Sequence, residues 1–400
     1  MILQKKQLTA LLKRLIAMYK FSLIMLLFFP VLAGAMDDTS NVSSIKLGGY
    51  LMLDHDYYSP FYDKNSEEYQ QETEIRKSKL GITFNPNASF KGKFQLKYTK
   101  RFSDPGKFTL ADAYIRIENR KKIGVQLGHM KEPFGLEQQT SSSKLIAIER
   151  SLPTEAFSPN RSYGLLVNQI KKSYTLAAGY FITRNNNEFS LANFNLLQKA
   201  DNNSDAITMR ITAAPIRNRV QTLHIGSSVS KRWLYENKFQ YKRTAEVHSA
   251  DNTVRSARFY ADQSNLYQVD IAFNYQHWLL QSEVFSNSIK QVDGEYWDFS
   301  GAYIQASYKS TGKYKYRKGR FKSSKVKNGA DLEWVIRYSH INLQDNEVGN
   351  NSSTSLIGLN IHLTHNLKLM MNMNFSWATG DIINQYQNGR AYSMRAQLTF

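Results

Sequence analysis

Along most of the chain, apolar and polar residues alternate with a period of two, the spacing of a β-strand with two unlike faces. In Phe90–Arg101 (FKGKFQLKYTKR), Phe90, Phe94, Leu96 and Tyr98 share one face, while Lys91, Lys93, Gln95, Lys97, Thr99 and Arg101 share the other. Asn366–Trp377 (NLKLMMNMNFSW) repeats the pattern, with Leu367, Leu369, Met371, Met373, Phe375 and Trp377 set against Asn366, Lys368, Asn372 and Asn374. Strands of a soluble sandwich usually run about 5–6 residues. The alternating runs here are commonly about ten residues or more, the length a tilted strand needs to cross a bilayer. Aromatic residues at their ends fit the girdles of a membrane barrel.

Two classes of connection alternate between these runs. The short ones are 85–88, 118–122, 170–173, 214–218, 275–278 and 364–366. The long polar ones include 59–72, 131–162, 183–204, 233–262 and 379–389. Short periplasmic turns and long external loops produce this rhythm. The pattern predicts an all-β transmembrane antiparallel barrel of about sixteen strands. Both termini fall on the periplasmic side. The basic segment 310–329 (STGKYKYRKGRFKSSKVKNG) is long yet lies on the short-turn side. It is either a slip in strand parity or an elaborated periplasmic turn.

Composition narrows the class. The 400-residue chain has 8 Pro, 21 Gly and no Cys, and nothing in it reads as a domain linker. Its mean hydropathy of −0.48 excludes a helical membrane protein, which needs runs of about 20 apolar residues. It does not exclude a membrane barrel, whose apolar surface hides in every second residue. Residues 1–35 differ from the rest: Lys5, Lys6, Lys13, Arg14 and Lys20 precede an apolar run, Phe21–Leu32, and Ala33-Gly34-Ala35. That is the plan of a cleaved signal peptide. Cleavage after Ala35 is expected, with 36–400 as the barrel and either Met1 or Met18 as the start. Removing those five charges from the formal +19 leaves +14 on the exported chain. Export makes nucleic acid an improbable partner, and points instead to small anions or to the lipopolysaccharide and phospholipid of a Gram-negative outer membrane.

Apolar residues must face lipid, so the opposite parity faces the lumen. On that rule Lys77, Lys79, Lys91, Lys93, Lys97, Arg101, Arg116, Arg210, Arg337 and Arg395 point inward. Few carboxylates share these strand positions, chiefly Asp112, Glu118 and Glu333. Rings of Lys and Arg select anions, although such residues could simply keep the interior wet and pair with loop carboxylates. The long segment 128–164 carries its own apolar residues, Leu145, Ile146, Ile148, Leu152 and Phe157. Loops of that length are usually functional or disordered. Folded inward, it would bring Lys131, Lys144, Arg150 and Arg161 to a constriction; packed as an external lid, it would use them in loop ion pairs. The chain ends in an alternating strand, Ala391–Phe400, whose terminal aromatic resembles the signal that barrel-assembly machinery reads. No histidine pair has zinc-site spacing and no glycine-rich phosphate loop joins a strand to a helix. No metal, cofactor or enzymatic chemistry is implied. The alternatives to an anion-diffusion channel are a structural or adhesin barrel and, more remotely, a barrel enzyme.

Several motifs resemble those of the phosphate-selective porin O and P family: Lys131-Glu132-Pro133-Phe134, Thr140-Ser141-Ser142, Glu149-Arg150 with Leu152-Pro153, and Phe157, Pro159, Arg161 and Gly164. Leu110–Tyr114, Thr175–Gly179, Gly301–Tyr303 and Thr311–Phe321 are similar as well, so the resemblance spans nearly the whole exported chain. It implies a sixteen-stranded porin, usually trimeric, with the long loop inside and the 311–321 insertion genuine. It also implies an arginine ladder and a lysine cluster in the lumen. Here many lumen positions carry Lys, a point charge, in place of the bidentate Arg fork. The expectation is therefore passage of small anions generally, with phosphate or polyphosphate as candidate solutes.

Overall fold

The computed structural model describes residues 44–101, 104–183, 188–189, 203–324, 329–381 and 385–400. Residues 1–35, read above as a signal peptide, lie outside them, as does most of the connection 183–204. Among the described residues, sixteen antiparallel strands close into one barrel. They are β1 Ser44–Tyr58, β2 Gln70–Asn85, β3 Phe90–Arg101, β4 Asp104–Glu118, β5 Ile123–Lys131, β6 Arg161–Ile170, β7 Tyr174–Thr183 and β8 Ser204–Arg217. The second half comprises β9 Gln221–Phe239, β10 Phe259–Tyr275, β11 Trp278–Gln291, β12 Tyr296–Lys309, β13 Asp331–Asn342, β14 Asn350–His362, β15 Leu367–Gly380 and β16 Asn388–Thr399.

Each strand pairs with its neighbours in sequence, and β16 returns to β1 in register from Tyr50↔Thr399 to Tyr58↔Ala391. At this seam Phe400 exchanges two backbone hydrogen bonds with Gly49, at 3.0 and 3.1 Å. A Cβ on residue 49 would lie 2.3 Å from the Lys79 carbonyl and 2.6 Å from the Phe400 ring, so only glycine admits both. Among the described residues, closure leaves no barrel strand without a neighbour on either side, which is the condition for strands in lipid.

Burial is inverted relative to a soluble sandwich. Ile207, Met209 and Ile211 of β8 and Val269, Ile271 and Phe273 of β10 are exposed to the outside, while Thr208, Arg210, Gln268 and Asp270 between them are buried inside. Exposed aromatics gather toward the strand ends. Tyr57 stacks on Tyr69 at 5.0 Å near the external end, and Trp278 meets Tyr308 at 4.7 Å near the periplasmic end. Such belts place ring dipoles at the two interfaces.

Among the described residues, two external loops and one periplasmic hairpin enter the interior. The loop between β5 and β6 carries two short helices, α1 Leu136–Gln139 and α2 Leu152–Phe157. Its apolar residues Phe134, Leu152, Ala156 and Phe157 pack with Phe285, Phe299, Tyr303 and Ile341 of the β11–β13 wall. A second cluster joins Leu136, Ile146 and Ala147 to Ala272, Leu279, Val335 and Leu356 and to Tyr314 and Phe321 of the hairpin between β12 and β13. The loop between β9 and β10 adds Ala245, Val247 and Ala250 against Tyr58, Phe61 and Tyr62. Three segments distant in sequence thus fill one side of the lumen, and the space that remains lies against β2–β4.

Candidate conduction site

A cavity of about 1050 Å³ occupies that space. Its lining follows β3 from Phe90 near the periplasmic turns to Lys100 at the external end, so it runs along nearly the full height of that strand. Among the described residues, sixteen Lys and Arg line it, against three acidic side chains, Asp112, Glu118 and Glu155.

The basic wall follows from strand geometry. Alternate residues share a face and stand about 6.6 Å apart along a strand. Lys91 and Lys93 of β3 are therefore adjacent rungs, Lys97 follows beyond the Gln95 rung, and Lys79 of β2 sits directly across from Lys97. A β-bulge modifies the β2 wall: the register passes from Met52↔Lys77 to Leu53↔Ile75, leaving Arg76 unpaired. Ile75 is 45% exposed toward lipid, whereas Arg76 is only 7% exposed and lines the cavity beside Lys77. Strict alternation with Lys77 inward would instead send Arg76 into lipid. That cost was the available signal for the bulge and for a cavity residue the parity rule missed.

The opposite wall is the inward loop. Gly135 adopts φ 65°, and a Cβ there would stand 3.0 Å from the Glu283 carboxylate. The close approach lets the amides of Leu136 and Glu137 donate to Glu283 at 2.8 and 2.6 Å. Carboxylates Glu132, Glu137 and Glu149 of the loop, with Glu246 of the β9–β10 loop, serve as anchors. Glu132 accepts from Arg232 at 2.8 Å and from Thr208 at 2.7 Å. Glu137 and Glu246 hold Arg337 at 3.2 and 2.5 Å, and Glu149 bridges Arg76 and Arg395 at 3.0 and 2.7 Å. Burial alone would raise the Glu149 carboxyl, but the guanidiniums of Arg76 and Arg395 outweigh it and hold it well below the usual carboxylate range. Burial pushes the Glu246 carboxyl up despite its contact with Arg337.

With those acids engaged, the loop presents Lys131, Lys144, Arg150 and the Thr140–Ser143 run to the cavity, with Glu155 as its one carboxylate there among the described residues. Lys131 is held by the carbonyls of Gln138 and Thr140 at 2.5 and 3.2 Å. Arg150 donates to the Thr140 carbonyl at 2.9 Å and stands 3.5 Å from Glu155. Asp112 is shared between Lys93 at 2.5 Å and Arg161 at 2.7 Å, and Arg116 is paired with Glu118 at 2.7 Å. Lys77, Lys79, Lys91 and Lys97 form no ion pair with a carboxylate among the described residues, so their charge is available to a mobile ion. Lys79 lies over the Tyr50 ring at 5.1 Å.

Of the residues expected to line the lumen, Lys77, Lys79, Lys91, Lys93, Lys97, Arg116 and Arg210 touch this cavity, as do loop residues Lys131, Lys144, Arg150 and Arg161. Arg210 contributes little free charge, since Asp270 grips it at 2.8 and 3.0 Å. Arg337 and Arg395 depart from the expectation. Both face inward, but neither lines the cavity. Arg337 is consumed by Glu137 and Glu246, and Arg395 by Asp54 and Glu149, so they fasten loops. Arg101 ends β3, and its side chain lies outside the described residues.

The described part of the expected turn, 310–324, folds back into the barrel from the periplasmic side, its Tyr314–Tyr316 and Phe321–Ser323 pairing as a small ribbon. Arg320 donates to the Gln139 carbonyl of the inward loop at 2.5 Å, and Gly319 reaches Thr175 and Thr212 on the wall. Lys318, Arg320 and Lys322 thereby join the cavity from below. Partial burial, with Arg320, Arg317, Lys144 and Lys318 nearby, lowers the Lys322 ammonium to about 8.

A closed sixteen-stranded barrel, narrowed by an inward loop that leaves a charged passage along one wall, is a porin of the outer membrane. The family model for phosphate-selective porin O and P matches residues 45–400, and the chain belongs to that family. Porin O of Pseudomonas aeruginosa is 25% identical over 365 residues, covering 82% of this chain and 80% of that protein. Among solved structures, an anion-selective porin from Comamonas acidovorans superposes with a TM-score of 0.56 at 11% identity, over 90% of this chain and 100% of that one. The channel DcaP of Acinetobacter baumannii gives 0.56 at 12% identity, over 91% and 99%. OmpT of Vibrio cholerae, in a trimer form, gives 0.55 at 10% identity, over 90% and 100%.

Proposed function

We propose that this porin passes small anions by passive diffusion along the β2–β4 wall. The observation that carries the reading is the excess of cations on the cavity, sixteen against three acids, with Lys77, Lys79, Lys91 and Lys97 free of carboxylate partners among the described residues. In a narrow low-dielectric tube such a field concentrates counter-ions and excludes cations. Lysines spaced one or two rungs apart along the strands, with a rung of about 6.6 Å, offer weak sites between which an anion can step, and weak binding is what permits exit. Lysine supplies charge without a bidentate fork, which favours breadth over strict phosphate selectivity. Phosphate and polyphosphate remain within the solute class. We further propose cleavage after Ala35, assembly through the strand ending in Phe400, and a homotrimer. The trimer is supported by the family and by the trimer form of the OmpT neighbour.

A liposome-swelling assay tests the proposal. Gluconate and N-methylglucamine are similar in size and opposite in charge. Faster swelling in gluconate is expected; equal rates, or faster N-methylglucamine, would overturn it.

A further inference from the structure

A second feature lies on the outer surface. Strands β5–β9 carry an apolar groove of about 520 Å³, lined by Ile123, Val167, Leu176, Ala178, Met209 and Ile211. These residues point away from the lumen. The groove exists because Ala178 and Ser227 are small where their outward neighbours Leu176, Met209 and Val229 are bulky. At its periplasmic end the wall passes directly into two turns. The Gln169 side-chain Nε2 donates to the Lys121 carbonyl at 3.3 Å, and the Ile170 backbone amide donates to the Lys122 carbonyl at 3.3 Å. These turns read Asn119-Arg120-Lys121-Lys122 and Lys171-Lys172-Ser173, with no acidic residue. Arg120, Lys121, Lys122 and Lys172 are exposed, and Lys171 is half-exposed. Lys122 approaches Glu118 at 3.4 Å yet keeps 61% of its side chain exposed.

We propose that this sector binds one anionic phospholipid of the periplasmic leaflet, with an acyl chain in the groove and the phosphodiester headgroup against Lys121, Lys122, Lys171 and Lys172. The assignment rests on reading this side of the barrel as periplasmic, where the leaflet is phospholipid. Charge complementarity selects the occupant. A second barrel would have to bury four or five like charges at the end of an apolar groove, whereas an anionic lipid supplies both an apolar chain and a counter-charge. Basic residues at a membrane surface each attract anionic lipid, and a groove beside them turns that diffuse attraction into a site.

The test uses the folded oligomer in nanodiscs of equal phosphatidylglycerol and phosphatidylethanolamine, released for native mass spectrometry. The wild type should retain phosphatidylglycerol in preference, near one per chain. Replacing Lys121, Lys122, Lys171 and Lys172 with Gln should reduce that retention on the order of tenfold or more. Ala178→Trp fills the groove while sparing the turns and should abolish the preference as well. None of these five residues except through its backbone neighbours approaches the conduction cavity, so single-channel conductance should be unchanged; that separates failure of this site from failure of the channel reading. Equal retention of the two lipids, or undiminished retention in the lysine variant, would overturn the proposal. So would spontaneous disulfide dimers of Ser227→Cys in the membrane. The chain has no native cysteine, so such dimers would show a second copy covering the groove.

Discussion

Replacing Lys77, Lys79 and Lys97 together with Gln should weaken anion selectivity by a calculable amount. Lys79 and Lys97 face each other across β2 and β3, and all three line the cavity without a carboxylate partner among the described residues. A passing anion about 6 Å from one ammonium gains about 0.7 kcal/mol in bulk-water dielectric, and screening in 0.1 M salt reduces this to about 0.4 kcal/mol. Three such charges give about 1.2 kcal/mol, or roughly an eightfold change in anion partitioning at 25 °C. The lower dielectric of the tube makes that a minimum. The assay is the reversal potential of single channels in a KCl gradient, repeated at 1 M salt. There the Debye length falls to about 3 Å and most of the difference should vanish. A triple variant with unchanged selectivity at 0.1 M would refute the reasoning, because the free lysines would then carry no field that an ion experiences.

Four further outcomes follow from the anchors, the periplasmic hairpin and the seam. Glu246→Gln removes the partner of Arg337, Ser339 and the Leu152 amide; loss of a buried charge partner costs about 3–5 kcal/mol, toward the low end here because Glu137 remains. Single channels of this variant should be larger and noisier, and unchanged traces would contradict the anchor role. Because burial raises the Glu246 carboxyl, falling pH should protonate it before an ordinary glutamate and bring wild-type channels toward the same behaviour. On the alkaline side, Lys322 carries its charge below about 8 and loses it above. Anion selectivity measured from pH 7 to 9 should therefore decline, and less so in Lys322→Gln. Gly49→Val places a methine against the Lys79 carbonyl and the Phe400 ring, an overpacking that costs about 1–3 kcal/mol. It should lower the temperature at which the folded band is lost on a heat-modifiability gel.

The barrel was legible because lipid and water impose a strict alternation, and Phe90–Arg101 displays it residue by residue. The alternating turn lengths placed the inward loop after the fifth strand, where it stands. What the parity rule could not reach was the difference between facing inward and facing the passage. Arg337 and Arg395 face inward like Lys97, yet their carboxylate partners Glu246 and Glu149 arrive from loops 91 and 246 residues away in sequence. A period of two is also blind to a bulge, so Arg76 is absent from the inward-facing residues that alternation yields, although its neighbour Lys77 is among them. The cations of the 310–329 hairpin were visible as charge, but their return into the lumen depends on Tyr314 and Phe321 packing against the inward loop.

The most direct test of the central claim is the reversal potential of the refolded wild-type channel in a planar bilayer with a tenfold KCl gradient. A basic passage predicts a potential of anion sign, most of the way to the chloride limit of about 59 mV. A potential near zero, or one of cation sign, would contradict it, because the lysine wall would then face no conducted ion.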